Sequence, residues 1–264
     1  MDYFSSKTIW IVGASSGIGK ELAIQLSEFG ANLILSGRNI KELNEVSSQL
    51  KSNSNNFVLP LDLEKHETFD SKVESILEQY SSIDILFNNG GISQRSEAYD
   101  TTLEVERRIM EINYFGNIAL TKALLPQLRK QKSGQLIITS SIAGKFGFYL
   151  RSSYSASKHA LHGYYESLRL EELKNNIKVT LICPGKINTD ISKNALTGKG
   201  SIHNIMDHNQ STGMSVEDCV HKILVATKNQ KKEVYIGNKE VLVVYIKRYF
   251  PWLFWRVIKN QKAT

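Results

Sequence analysis

Cysteine and long apolar runs are both scarce in this sequence, and each scarcity excludes a class of protein. The 264 residues include two cysteines, Cys183 and Cys219, which by themselves make neither a disulfide framework nor a zinc site. We expect both to be reduced and buried, as in a cytoplasmic protein. No stretch of 18 uncharged apolar residues occurs, so no membrane-spanning helix is predicted. The acid at position 2 and the short first apolar run argue against a signal peptide.

The sequence also shows no set of residues spaced as metal ligands. The six histidines include one pair at helical spacing, His159 and His162, and no third ligand accompanies that pair. We therefore predict no metal site and interpret both side chains as packing or surface residues of a helix.

Positive charge is unevenly distributed along the chain. The net charge is +7, and residues 231–264 hold eight lysines and arginines against two acids, so the rest of the chain is nearly neutral. A nucleic-acid-binding protein would carry its charge on the folded face, so we predict no nucleic-acid partner. The hydrophobic share of 41% and charged share of 22% are those of an ordinary globular protein.

Short apolar runs alternate with longer helical patterns. The strand candidates are 8–12, 32–36, 56–61, 83–88, 135–140, 178–183 and 233–237. The helical patterns lie near 18–29, 40–51, 66–79, 104–131, 153–174 and 215–228. Strands that are apolar almost throughout are covered on both faces, and this alternation predicts an α/β protein with a doubly wound parallel sheet.

Two segments depart from the alternation. Residues 186–214 are polar, contain glycine and are weakly periodic, which predicts a long substrate loop or a pair of short helices. We assign 1–240, including that loop, to one domain, and 241–264 to a basic, aromatic C-terminal extension.

Three glycines follow the first strand directly. Gly13, Gly17 and Gly19 in "IWIVGASSGIGKELAIQL" allow a sharp turn, a close approach to a ligand and close helix packing, because glycine has no Cβ. The next helix offers free N–H groups to a pyrophosphate. The spacing is G-x-x-x-G-x-G, which differs from the common G-x-G-x-x-G. We therefore predict a dinucleotide-binding turn, with Ser15, Ser16 and Ile18 as further contacts.

The end of the second strand predicts which dinucleotide binds. Sheets that bind NAD place a carboxylate there for the ribose 2′-hydroxyl. In "LSGRN" Ser36 takes that position and Arg38 follows two residues later. A guanidinium suits a 2′-phosphate, which a carboxylate would repel. The pattern predicts NADP(H).

Four motifs occur in a fixed order. They are the glycine turn, "NNGG" at 88–91, the serines at 140–141, and Tyr154-x-x-x-Lys158. With these motifs the chain resembles the short-chain dehydrogenases/reductases over residues 8 to about 190. The resemblance implies a Rossmann fold, a nicotinamide cofactor, hydride transfer between the cofactor and a carbonyl or alcohol, and a homodimer or homotetramer.

The resemblance also implies a catalytic tetrad. Its members would be Asn113, Ser141, Tyr154 and Lys158, with the family's spacing of serine to tyrosine favouring Ser141 over Ser140. Asn117 is the nearest rival of Asn113. Further cofactor contacts implied by the resemblance are Asp62, Leu63, Asn89, Tyr154, Lys158, Pro184, Gly185 and Thr189. Gly90 stands where the family usually has alanine.

The chemistry accounts for these residue types. Hydride arriving at a carbonyl carbon leaves an alkoxide that needs a proton. A free tyrosine has a pKa near 10 and is a poor acid–base group at neutral pH. The ammonium of Lys158 is expected to lower the pKa of Tyr154 by about one to three. Ser141 would donate to the substrate oxygen, and Asn113 would interrupt its helix and hold a water that relays protons from Lys158.

The C-terminal extension leaves two interpretations open. Its rings are Tyr245, Tyr249, Phe250, Trp252, Phe254 and Trp255, and its cations are Lys247, Arg248, Arg256, Lys259 and Lys262. Packing against the body or a second subunit is favoured, and contact with a membrane surface is the alternative. The ending resembles that of family members that act on lipid-like or steroid-like carbonyls, and this resemblance implies a bulky, apolar ketone or aldehyde as substrate. The remaining hypotheses are a catalytically silent dinucleotide-binding protein and a membrane-surface scaffold.

Overall fold

Seven parallel strands form one sheet in the computed structural model, which describes residues 2–51, 55–205 and 212–259. The strands are β1 Thr8–Val12, β2 Asn32–Ser36, β3 Asn56–Val58, β4 Ile85–Asn88, β5 Gly134–Thr139, β6 Ile177–Pro184 and β7 Glu233–Ile236. Their order across the sheet is β3-β2-β1-β4-β5-β6-β7, and every neighbouring pair is parallel. The predicted doubly wound sheet is confirmed.

Helices cover both faces of this sheet. They are α1 Gly17–Glu28, α2 Ile40–Ser48, α3 Phe69–Leu77, α4 Leu103–Met110, α5 Gly116–Gln131, α6 Ser152–Glu171, α7 Val216–Lys228, α8 Leu242–Tyr249 and α9 Pro251–Ile258. Ile9 and Ile11 of β1 pack with α1 and α7, whereas Trp10 and Val12 pack with α3, α5 and α6 on the other face. Alternation of side chains along a strand thus gives two cores, and it leaves the carboxyl ends of β1, β2, β4, β5 and β6 at one edge.

The predicted helix over 104–131 is interrupted. A π-helical stretch, Glu111–Phe115, separates α4 from α5. The Asn117 side chain donates to the carbonyl oxygens of Ile112 at 3.1 Å and Asn113 at 3.0 Å. A side chain that bonds main-chain carbonyls in this way replaces regular helix bonds and stabilises the wider turn.

The predicted loop crosses the open edge of the sheet. Leu196 pairs with Gln94 and with Ile202 in isolated bridges, and Ile187 pairs with Met214. The bridge to Gln94 holds the loop against the segment that follows β4, and the other two bridges lie within the loop. Residues 206–211 of the predicted loop lie outside the described residues.

The C-terminal extension packs on the body with one face. Val244 and Phe254 form a cluster with Ile142 and Phe146, which follow β5. Lys247 Nζ donates to the carbonyl oxygen of Lys145 at 2.6 Å. Its other face leaves several rings exposed, namely Tyr245, Tyr249, Phe250, Trp252 and Trp255. Residues 260–264, including the predicted cation Lys262, lie outside the described residues.

The residue immediately before this extension, Glu240, contacts the segment after β6. The Glu240 carboxylate accepts from the main-chain N–H of Lys186 at 2.9 Å. A Cβ on Gly185 would lie 2.5 Å from that carboxylate oxygen, so the segment and Glu240 meet closely. Among the described residues, no helix is both long and apolar enough to cross a bilayer.

Candidate active site

A cavity of about 1060 Å³ opens where the strand carboxyl ends meet. Every predicted cofactor-binding residue except Gly19 lines it: Gly13, Ser15, Ser16, Gly17, Ile18, Arg38, Asp62, Leu63, Asn89, Tyr154, Lys158, Pro184, Gly185 and Thr189. Ser141 lines it as well, and Asn113 lies just behind its wall. Residues from distant parts of the chain therefore share one cavity.

The glycine turn leaves no room for side chains. Gly13 and Gly17 have φ angles of +79° and +50°, which favour glycine. A Cβ on Gly19 would lie 1.9 Å from the Gly13 carbonyl oxygen. Ser16, the N-cap of α1, makes no side-chain capping hydrogen bond to any described residue, so the first N–H groups of α1 can receive a phosphate. The turn fits the pyrophosphate of a dinucleotide.

The end of β2 differs from the prediction in one respect. Ser36 is fully buried, donates to the Leu59 carbonyl oxygen at 2.7 Å and accepts from Trp10 Nε1 at 2.9 Å. Its hydroxyl is therefore hydrogen-bonded within the sheet and does not line the cavity. The lining residues at this strand end are Gly37 and Arg38, and Lys41 from α2 joins them.

Asn113 is held at the site by the π-helical stretch. Its Oδ1 accepts from the Ile92 N–H at 2.8 Å, and its Nδ2 donates to the Ile92 carbonyl oxygen at 2.9 Å and to Ser157 Oγ at 3.0 Å. A Cβ on Gly91 would lie 2.9 Å from Asn113 Oδ1 and 3.5 Å from Lys158 Nζ, so the two side chains flank that glycine. Asn117 instead serves the helix interruption.

The two candidate serines have different surroundings. Ser141 Oγ accepts from the Ala143 N–H at 3.1 Å and donates to the Pro184 carbonyl oxygen at 3.3 Å. Ser140 Oγ donates to the Lys158 carbonyl oxygen at 3.2 Å and lies 3.0 Å from His162 Nε2. Ser140 thus fixes α6, and Ser141 is the serine next to the tyrosine.

Burial dominates the electrostatics of Tyr154 and Lys158, the predicted reactive pair. Tyr154 and Lys158 are only 5% and 4% exposed. Burial raises the pKa of Tyr154, and the nearby Arg151 guanidinium and Ser141 hydroxyl oppose that rise. Burial also lowers the pKa of Lys158 to about 8. The net direction for Tyr154 is thus opposite to the sequence prediction, because removal from water disfavours the charged forms of both groups.

Lys158 lies close to the tyrosine ring but bonds elsewhere. Its Nζ is 5.7 Å from the Tyr154 ring centroid and donates to the Thr139 carbonyl oxygen at 2.8 Å. That bond fixes the ammonium at the carboxyl end of β5, beneath the predicted nicotinamide side of the cavity.

Sequence reasoning missed Gln94, which is fully buried and holds the start of α6. Its Oε1 accepts from the Ser153 N–H at 2.9 Å, and its Nε2 donates to Thr101 Oγ1 at 2.9 Å and to Ser152 Oγ at 3.2 Å. The only sequence signal for it was its position shortly after "NNGG". The segment after β4 therefore fixes the first turn of α6, which carries Tyr154.

A second polar group lies behind Ser140. His162 Nδ1 is 3.8 Å from Glu233 Oε2, and Cys183 Sγ is 3.7 Å from His162 Nε2. Burial lowers the pKa of His162 to about 4, so the ring is neutral at pH 7. The three groups lie within 4.8 Å of one another, but Lys145 Nζ already pairs with Glu233 at 3.0 Å. We interpret them as a buried polar network that spans α6, β6 and β7.

Known proteins match both the sequence and the fold. A family model described as short chain dehydrogenase matches residues 7–200. Dehydrogenase/reductase SDR family member 7B of Mus musculus is 40% identical over 265 residues, covering 98% of this chain and 82% of that protein. Dehydrogenase/reductase SDR family member 7 of Homo sapiens is 40% identical over 262 residues, covering 96% and 77%.

Solved structures agree with these relatives. A short-chain dehydrogenase from Streptomyces avermitilis has a TM-score of 0.80 at 25% identity and covers 97% of this chain and 98% of its own. A short chain dehydrogenase/reductase from Burkholderia phymatum, solved in complex with NAD, has a TM-score of 0.85 at 18% identity and covers 100% of both chains. The second likeness bears on the fold alone.

Proposed function

This chain belongs to the short-chain dehydrogenase/reductase family and is an NAD(P)-dependent oxidoreductase, and from that premise we propose that it reduces a bulky, apolar ketone or aldehyde with NADPH. The observation that carries the proposal is the convergence of Ser141, Tyr154 and Lys158 on one cavity that also contains the glycine turn. Their proposed roles follow from their positions.

The chain's own residues account for binding and proton transfer. Gly13, Ser16 and Gly17 would hold the pyrophosphate at the start of α1, and Pro184 and Thr189 would border the nicotinamide, which supplies a hydride when the reduced cofactor is bound. Tyr154 and Ser141 would contact the substrate oxygen.

Tyr154 would give its phenolic proton to the substrate oxygen while Ser141 donates a hydrogen bond to the same atom. Lys158 would hold the nicotinamide ribose and favour the phenolate that remains. Asn113 bonds the main chain of Ile92 and, with Lys158, flanks Gly91. We assign it to the path by which Lys158 regains a proton from water.

Tyr154→Phe tests this assignment. We expect kcat for NADPH oxidation over a panel of ketones and aldehydes to fall by about 10²- to 10⁴-fold. Tyr164→Phe on the same helix, outside the cavity lining, should retain activity. NADPH binding with no turnover by either protein would instead favour the catalytically silent dinucleotide-binding protein. Equal, measurable turnover by both proteins would contradict the role proposed for Tyr154.

The preference for NADPH rests on charge at the end of β2. Arg38 is exposed and lines the cavity, and Lys41 is a second cation there, against one acid, Glu42. Arg38→Ala is expected to reduce the ratio of kcat/KM for NADPH to that for NADH by about 10- to 100-fold, the loss of one charge-assisted contact. Lys51→Ala, away from the cavity, is the control. An unchanged ratio in Arg38→Ala would defeat the cofactor assignment.

The apolar substrate follows from the loop side of the cavity. Its lining there includes Ile92, Ile187, Ile191, Leu196 and Ile202. Apolar walls with a few polar groups at one end suit a large carbonyl compound.

The exposed face of α8 and α9 supports a peripheral membrane contact by a cytoplasmic protein whose two cysteines are buried and free. Trp252 and Trp255 are 61% and 66% exposed, and Arg256 lies 5.5 Å from the Trp252 ring centroid. Rings beside cations suit the interface of an anionic bilayer. Co-sedimentation with anionic vesicles should fall for Trp252→Ser/Trp255→Ser. If these substitutions instead dissociate a homodimer or homotetramer in light scattering, the face is a subunit interface.

A further inference from the structure

Arg151 lies at the tyrosine as closely as the family's lysine does. It directly precedes α6, is partly buried and lines the cavity. Its guanidinium carbon is 5.8 Å from the Tyr154 ring centroid, compared with 5.7 Å for Lys158 Nζ. Two cations therefore flank one phenol, and the proposed tetrad uses only one of them.

The backbone before Arg151 is held in an uncommon conformation. Leu150 has a φ of +61°, a region that non-glycine residues rarely adopt. Its carbonyl oxygen accepts from the Ser96 N–H at 3.3 Å, and the Arg151 N–H donates to the Phe148 carbonyl oxygen at 3.2 Å. Such a conformation persists only where surrounding contacts impose it, so the chain leading into Arg151 is fixed.

The two cations differ in how firmly they keep their charge. Burial lowers the pKa of Lys158 to about 8, so its ammonium is lost in mildly alkaline solution. A guanidinium stays protonated at these pH values even when burial lowers its pKa. The positive charge of Arg151 opposes the rise in the pKa of Tyr154 that burial causes.

The other titratable groups around the phenol do not replace this charge. The Cys183 thiol faces Lys158 from β6, and burial raises its pKa, which keeps it neutral. Asp190 lines the cavity from the loop after β6 and is exposed to solvent. Ser141 contributes a hydroxyl without charge. The cations of the site are thus Arg151 and Lys158.

We propose that Arg151 is a positioning residue for proton transfer, a second cation that stabilises the anionic form of the Tyr154 oxygen together with Lys158. This inference rests on the proposed function. In carbonyl reduction the O–H bond of Tyr154 breaks, its electron pair stays on the phenolate, and the proton forms the O–H bond of the product alcohol. The reduced cofactor, when bound, would supply the hydride for the new C–H bond, and the π pair of the carbonyl would form the bond to the proton from Tyr154. Arg151 exchanges no proton and acts through the charge it places beside the phenolate.

Titration of the tyrosinate absorbance near 295 nm tests the inference without turnover. The signal of Tyr154 is the difference between each protein and its Tyr154→Phe counterpart, measured with and without NADP⁺ and with no substrate. We expect Arg151→Gln to move the midpoint upward by about one pH unit and Arg151→Lys to restore most of it. Arg107→Gln, an exposed arginine outside the cavity lining, should leave the midpoint unchanged. Arg151→Met repeats the measurement if Arg151→Gln does not fold.

The pH profile of alcohol oxidation gives a second readout. The rise of kcat with pH should shift upward in Arg151→Gln by the same amount as the absorbance midpoint. A midpoint that is equal in the unsubstituted protein and in Arg151→Gln overturns the inference, even if turnover falls evenly at every pH. If the midpoint moves but no carbonyl compound is turned over by the unsubstituted protein, the proposed function fails and the role of Arg151 in holding charge on Tyr154 stands.

Discussion

Single glycine positions decide whether the cofactor can bind. Gly19→Ala would place a Cβ 1.9 Å from the Gly13 carbonyl oxygen, so the turn must open. We expect NADPH affinity, measured by fluorescence titration, to fall by at least about tenfold, equivalent to about 1.4 kcal/mol.

Gly163 provides a matched control on α6. A Cβ there meets nothing within 4 Å, so Gly163→Ala should keep NADPH affinity and stabilise the helix by about 1 kcal/mol. If Gly19→Ala and Gly163→Ala bind NADPH equally well, the close approach at Gly19 does not shape the phosphate turn.

Lys158 is expected to destabilise the cofactor-free protein. A folded-state pKa of about 8 against 10.5 in the unfolded chain means that the unfolded chain binds more protons between these values, so stability rises with pH through that window. Below pH 8 the buried ammonium costs about 3 kcal/mol relative to the neutral amine, and a substitution of Lys158 also loses the bond to Thr139, which is worth about 1–2 kcal/mol. Lys158→Met should therefore raise the free energy of unfolding at pH 7 by about 1–2 kcal/mol while abolishing turnover.

Urea unfolding at two pH values checks this prediction. The gain from Lys158→Met should largely disappear by pH 10, where the native lysine is already neutral. Lys122→Met, on the exposed side of α5, should change stability little at either pH. A gain that is the same at pH 7 and pH 10 would mean that packing, and not charge burial, is responsible.

The interruption between α4 and α5 is an element-scale feature that depends on one side chain. Asn117→Ala removes both donations to the Ile112 and Asn113 carbonyl oxygens. Unsatisfied buried carbonyls cost about 1–3 kcal/mol, so the free energy of urea unfolding should fall by that amount and kcat should fall as Asn113 shifts. Asn229→Ala, exposed after α7, should change neither. Unaltered stability in Asn117→Ala would show that another group takes over these bonds.

The two C-terminal helices depend on one buried ring. Phe254 is 2% exposed and its ring centroid lies 5.4 Å from that of Phe146. Phe254→Ala should increase hydrogen exchange across residues 242–258, because these helices bury few other side chains. Trp252→Ala, whose ring is 61% exposed, should leave exchange of the same amides unchanged. Equal protection in both variants would contradict the packing of α8 and α9 on the body.

The elements were predictable to the extent that periodicity reports burial. Strands buried on both faces appear as continuous apolar runs, which located β1, β2, β4, β5 and β6. The edge strands β3 and β7 are largely half-buried, and their short apolar runs were still sufficient to locate them. The apolar pattern of 104–131 continues through the π-helical stretch and does not reveal it. The expectation that Asn113 interrupts its helix does place a break there, but the side chain that bonds the helix carbonyls is that of Asn117.

At the scale of the whole molecule, the site was predictable because the topology assembles it. Parallel strands wound in both directions leave their carboxyl ends at one edge, so motifs from residues 13 to 189 meet there. Charge in the site was not predictable, since the burial that raises the pKa of Tyr154 is a property of the packed fold. The surroundings of Ser36 were not predictable either. Its sequence position suggested the cavity, whereas its hydroxyl is hydrogen-bonded to Trp10 and Leu59 within the sheet.

The attachment of the C-terminal extension has a practical consequence. Lys247 donates a hydrogen bond to the carbonyl oxygen of Lys145, four residues after Ser141. Glu240, the residue before the extension, accepts one from the N–H of Lys186, next to Gly185. The extension therefore supports, from outside, the side of the cavity that contains Ser141. Deletion of residues 241–264 to improve solubility would remove that support and expose Phe146 and Ile142. Low turnover in such a truncated protein would then result from a loosened cavity wall and would not contradict the roles proposed for Ser141, Tyr154 and Lys158.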